Sequence, residues 1–216
     1  MKPAQCIFAA LGLAMATAAL AAEGEGQESP AAADKPAWSF AITAYPTMVH
    51  GGEDYTSAIA TADHGPLHLE ARYNYESDGA RSAFIGWTFS GGNEVTWQLR
   101  PIVGGVWGTT EAVVPGLEAA VAWGRFDFYT EAEYVNDRNS ARSSSYLYSW
   151  NEFGFRPVES LRFGLVAQHT RAYGGDRDIQ RGPFAQVTWR RLTVGAFWFN
   201  PGSSDQVVVV SIGAAF

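Results

Sequence analysis

Residues 67–76 read Leu-His-Leu-Glu-Ala-Arg-Tyr-Asn-Tyr-Glu. Leu67, Leu69, Ala71, Tyr73 and Tyr75 hold the odd positions, and His68, Glu70, Arg72, Asn74 and Glu76 hold the even ones. Successive side chains of a β-strand point to opposite faces, so this segment has one apolar and aromatic face and one polar, charged face. A half-buried strand of a soluble protein does not need so strict a division. A wall between hydrocarbon and a polar interior does.

The same alternation recurs along the chain. Ala83, Ile85, Trp87 and Phe89 continue it after the turn Ser77-Asp78-Gly79. Val95, Trp97 and Leu99 oppose Thr96, Gln98 and Arg100, and Leu117, Ala119, Val121 and Trp123 oppose Glu118, Ala120 and Ala122. Phe126, Phe128, Ala132 and Tyr134 oppose Asp127, Tyr129, Glu131 and Glu133. In 145–156, Leu147, Phe153 and Phe155 oppose Tyr148, Trp150 and Glu152. Leu161, Phe163, Leu165 and Ala167 oppose Arg162, Gly164 and Gln168. Segments of about ten alternating residues separated by turn chemistry predict an all-β chain, a transmembrane antiparallel up-and-down barrel of about 12 strands, with 10–14 as the range. Short connections fall near Gly65, Gly91, Gly124, Val158 and Arg190, and longer ones near Gly51, Thr109, Asn139, Gly175 and Ser203. Only the turn at Asp78 is shorter than its class.

Composition agrees. The chain is 47 % hydrophobic and 14 % aromatic, yet its mean hydropathy is only −0.10. A barrel reconciles these values, because only every second residue has to be apolar. The net charge of −7 argues against nucleic acid as a partner. Lys2, the apolar run 7–20 and the small residues Ala19-Leu20-Ala21 predict a secretory signal over residues 1–22 rather than a membrane helix. Cys6 lies within it, so the mature chain has no thiol for a disulfide. Residues 23–36, EGEGQESPAAADKP, have the composition of a disordered tail, and residues 37–216 make the barrel.

The last strand ends on Phe216, with Ala214, Ile212, Val210 and Val208 on its face. Together with the signal segment, this strand resembles those of small Gram-negative outer-membrane β-barrel proteins as a class. The resemblance covers nearly the whole chain as a pattern and carries no motif of a particular functional family. It implies an outer-membrane location with both termini periplasmic, contact with outer-membrane lipids and lipopolysaccharide, and recognition of the C-terminal strand by the barrel-assembly machinery. Trp38, Phe89, Trp97, Trp123, Trp189 and Phe216 are then expected at the periplasmic membrane interface, and Tyr75, Trp107, Tyr134 and Trp198 at the outer one.

The polar faces carry the functional candidates. Arg or Lys facing lipid at the midplane costs about 2–4 kcal/mol, so charges on spanning strands are expected inside. Glu70, Arg72, Arg100, Glu118, Glu131, Glu133, Glu152, Arg162 and Arg190 are the expected lumen and constriction residues. Glu131 and Glu133 are expected to pair with facing arginines, Arg162 or Arg100. About twelve strands lie between the packed interior of an eight-stranded barrel and the aqueous channel of a porin. The expected role is a non-enzymatic narrow channel for small solutes or a packed structural barrel. Two alternatives are a lipid-modifying enzyme and a soluble periplasmic barrel that binds a small ligand. Lipid-cleaving barrels need a His beside a Ser, and no His-x-Ser arrangement is present. His50 and His64 fall in connections, His169 faces outward, and His68 is expected to make a satisfied lumen contact. Arg138 and Arg142 are candidates for lipopolysaccharide phosphates. Asp176 and Asp178 fall short of a Ca²⁺ cage. No metal cluster and no cofactor are expected.

Overall fold

The computed structural model describes residues 36–138, 145–172 and 177–216. The signal segment, nearly all of the 23–36 tail, Arg142 and Asp176 lie outside the described residues. The strands are β1 (Trp38–Val49), β2 (Tyr55–His64), β3 (Leu67–Tyr73), β4 (Arg81–Trp87), β5 (Phe89–Gly92), β6 (Val95–Trp107) and β7 (Ala112–Trp123). They continue with β8 (Phe126–Asp137), β9 (Tyr146–Val158), β10 (Leu161–Ala172), β11 (Arg177–Trp189), β12 (Leu192–Phe199) and β13 (Val207–Ala215).

β4 and β5 are one spanning strand. Gly86 faces Ile102 and Phe89 faces Leu99, so the register against β6 passes through Thr88 without a slip. β5 continues past the start of β3 and pairs with β6 alone. The chain therefore crosses twelve times, each strand antiparallel to its neighbours. The ring closes between the first and last strands, from Ala41 opposite Ala215 to Val49 opposite Val207. Phe40 and Phe216 complete the seam with reciprocal backbone bonds of 3.2 and 2.8 Å. Closure leaves no unpaired edge, which a sheet in hydrocarbon requires.

One rim holds both chain ends of the barrel and the two-residue connections 65–66, 93–94, 124–125, 159–160 and 190–191. The opposite rim holds connections 50–54, 74–80, 108–111 and 200–206. The turn around Asp78 is therefore not short. β3 stops at Tyr73, and Asn74, with φ of 57°, takes the left-handed conformation that Asn tolerates better than most residues. Its side chain accepts from Gly79 N at 2.7 Å and donates to Thr56 O at 3.0 Å. Asn74 N also donates to Ala80 O at 2.8 Å, which closes the 74–80 segment on itself.

The polarity of the barrel is inverted relative to a water-soluble domain. Ile42, Ile85, Val103, Leu165, Val194 and Ile212 point outward and are exposed. Glu70, Arg72, Arg100, Glu118, Glu131 and Arg162 point inward and are buried. An apolar band this continuous identifies hydrocarbon as the outer solvent. Inward glycines make room for the charged side chains. A Cβ on Gly154 would stand 2.6 Å from both Arg162 Nε and Asp127 Oδ1, and one on Gly104 would stand 2.4 Å from the Phe84 ring.

Candidate functional site: the ion-paired lumen

Arg72, near the long-loop end of β3, is the centre of the interior. Its guanidinium lies between the rings of Phe84, at 4.2 Å, and Tyr75, at 4.4 Å. Its Nε bonds Glu70, Nη1 stands 2.8 Å from Glu133 Oε1, and Nη2 stands 3.3 Å from Glu131 Oε1. Glu76 Oε1 follows at 3.8 Å. Glu131 and Glu133 belong to β8, which is separated from β3 around the wall by β4, β6 and β7. The Arg72 side chain thus reaches across the lumen rather than along its wall.

The 74–80 segment adds to this bridge. Tyr75 Oη donates to Glu131 Oε1 at 3.0 Å, Ser82 Oγ donates to Glu76 Oε1 at 2.6 Å, and Tyr146 Oη donates to the Glu76 carbonyl at 3.0 Å. Tyr75 is buried inside, so its expected place in the outer aromatic rim is corrected. The cause is the Asn74 turn, which takes Tyr75 and Glu76 off the strand and folds them into the mouth.

A second network lies toward the short-turn rim. Arg162 on β10 bonds Glu152 on β9, and its Nε donates to Asp127 Oδ1 on β8 at 2.8 Å. Arg162 Nη1 also donates to Gln186 Oε1 at 2.9 Å, and the guanidinium covers the Phe184 ring at 4.6 Å. Arg156 reaches Asp127 at 3.2 Å. A third group joins Arg100 to Glu118 at 2.7 Å and to Asp63 at 3.6 Å, with His68 between Asp63, at 2.7 Å, and Glu70, at 3.2 Å. Between the charges pack aromatic rings. Trp150 meets Phe197 at 5.3 Å and Phe199 at 5.4 Å, edge to face. Every spanning strand contributes at least one buried inward side chain, among them Tyr45, Ile59, Phe84, Tyr129, Trp150 and Phe197. These side chains crowd and narrow the lumen at this height.

Glu70, Arg72, Arg100, Glu118, Glu131, Glu133, Glu152 and Arg162 all occupy this interior. Arg190 does not. It sits in the 190–191 turn with φ of 57°, exposed, its guanidinium 5.1 Å from the Trp189 ring. The strand ends at Trp189, so the parity that points Gln186 and Thr188 inward stops there. Glu94 is likewise exposed, in the 93–94 turn. Glu131 and Glu133 pair with Arg72, not with Arg162 or Arg100. Parity tells which face a residue takes but not its partner across a lumen. Trp38, Phe89, Trp97, Trp123, Trp189 and Phe216 lie exposed on the outer face near the short-turn rim. Asp63 and Tyr75 are lumen residues that the alternation of their segments did not mark.

No protein-family model and no curated protein matches this sequence. Among solved structures, a KdgM porin is similar, with a TM-score of 0.61 and 11 % identity, covering 82 % of this chain and 99 % of that one. A second, described as KdgM porin in complex with disordered oligogalacturonate, has a TM-score of 0.60 and 8 % identity, with coverage of 82 % and 99 %. The shared feature is the fold, a closed antiparallel barrel of twelve strands.

Proposed function

We propose that the protein is a non-enzymatic outer-membrane channel for small solutes, narrow and cation-preferring, with both termini in the periplasm. The carrying observation is the charge balance of the ion-paired lumen lining. Among the described residues, Asp63, Glu70, Glu76, Glu118, Asp127, Glu131, Glu133 and Glu152 enter its ion pairs, against the guanidiniums of Arg72, Arg100, Arg156 and Arg162 and the imidazole of His68. A ring of carboxylates in a low-dielectric wall attracts cations and repels anions. Oligogalacturonate, named with one of the similar structures, carries a carboxylate on each sugar. The acidic excess argues against a polyanionic solute here and favours small cationic or neutral ones.

Two observations support the lack of enzymatic activity and the orientation. His68 bonds two carboxylates and no hydroxyl, so it is not poised as the base of a nucleophile. Barrels of this type place short turns in the periplasm, and the chain ends share that rim. The outward aromatics on that rim then meet the inner interface, and residues 1–22 serve as the export signal.

The test is the reversal potential of purified, folded protein in a planar bilayer under a KCl gradient. The expected sign is that of K⁺ permeating faster than Cl⁻, and Glu131→Gln with Glu133→Gln should reduce the preference. Anion preference in the wild type would overturn the reading.

A further inference from the structure

We propose that His68, Glu70 and Glu118 form a binding site for one divalent transition-metal ion inside the barrel, for which Zn²⁺ is the suitable probe. The three residues come from β3 and β7, strands that do not neighbour each other in the wall, and each offers a ligand atom within 4.8 Å of the others. All three are buried. Nothing in the linear order of the sequence brings Glu118 to His68.

Three features distinguish this cluster from a group of lumen acids. The first is the orientation of the imidazole. Asp63 Oδ1 holds His68 Nδ1 at 2.7 Å, which leaves Nε2 as the nitrogen that faces Glu70. A carboxylate on the far ring nitrogen is the usual partner of a metal-binding histidine, because it fixes the tautomer and raises ligand basicity. The second is spacing. His68 Nε2 and Glu70 Oε2 stand 3.2 Å apart. Two donors about 2.0–2.1 Å from a tetrahedral ion are separated by about 3.3 Å, the edge of that tetrahedron. The third is an unused acceptor. Glu118 Oε2 accepts from Arg100 Nη1 at 2.7 Å, whereas Oε1 is buried and accepts no hydrogen bond from the protein. A buried carboxylate oxygen without a donor calls for a cation or a proton.

The donor set decides the class of ion. One imidazole nitrogen with two carboxylate oxygens suits Zn²⁺ and its neighbours, whereas Mg²⁺ and Ca²⁺ favour all-oxygen sites. Three protein ligands leave a fourth position for water or a passing anionic group. The ion would also offset part of the carboxylate excess around Arg72 and Arg100. Asp63, whose side chain is 33 % exposed, stands on the short-turn side of the cluster.

The experiment uses untagged full-length protein in detergent, stripped with chelator and confirmed as folded by heat-modifiable gel migration. Equilibrium dialysis against Zn²⁺ should give one ion per chain. Glu118→Gln and His68→Gln should each lower the affinity at least tenfold, and Asp63→Asn about 10–100-fold, the usual effect of losing the partner of a ligating histidine. His50→Ala and His64→Ala should leave it unchanged. Failure of the folded wild type to bind Zn²⁺ would overturn the proposal, as would binding that survives Glu118→Gln but is lost with His50→Ala or His64→Ala. Should His68→Gln fail to fold, Glu118→Gln and Asp63→Asn decide the matter. Channel selectivity is measured without Zn²⁺, so the two readings fail independently.

Discussion

Arg72 shows how one residue sets the interior. It is the only guanidinium among the described residues within 4 Å of Glu70, Glu76, Glu131 and Glu133, and it bridges β3 to β8. Removing one partner of a buried pair leaves the other charge uncompensated, at about 3–5 kcal/mol. Arg72→Ala should therefore destabilise the folded barrel by about that amount, read as a lower urea midpoint for folding in detergent. Arg72→Lys should recover only part of it, because an ammonium cannot reproduce the planar fork between two rings. Arg190→Ala offers the contrast. Its guanidinium meets only the Trp189 ring among the described contacts, and the change should shift the midpoint little.

At the scale of the element, the 74–80 segment departs most from strand periodicity. Alternation made Tyr73 and Tyr75 look alike, and nothing in that pattern reports that Asn74 turns with φ of 57°. The same blindness put Arg190 inside. Parity was extended through turns in which the chain no longer alternates. Where strands are regular, parity served well, because a lipid face and a lumen face demand opposite chemistry at every step. Leu147 and Phe153 face out and Tyr148, Trp150 and Glu152 face in, as their segment suggested. Pairing across the lumen stayed hidden, since it depends on the closed ring. Asn74→Ala removes two hydrogen bonds and favours a different backbone conformation, so the segment should loosen. Chymotrypsin added to intact cells should then cut after Tyr75 in the variant and spare the wild type, where Tyr75 is buried. Equal resistance in both would show that the Asn74 turn does not hold the segment inside.

For the whole molecule, the decisive property is which solvent each face meets. Leu165 lies mid-strand on β10, outward and 64 % exposed. In a soluble barrel Leu165→Arg would be close to neutral. In a bilayer it should cost about 2–4 kcal/mol if the site is near the midplane. Urea titration of folding into lipid vesicles measures the difference. A near-neutral result would place this face in water and revive the soluble ligand-binding barrel.

The Arg72 bridge and the 74–80 segment should together narrow the proposed solute path through the twelve-stranded barrel. Single-channel recording decides this, comparing the wild type with a variant whose residues 75–79 are replaced by a two-residue Asn-Gly turn. Small, discrete, cation-preferring steps are expected from the wild type and larger ones from the variant. Folded, heat-modifiable protein that stays silent in both forms would contradict it and leave a packed structural barrel.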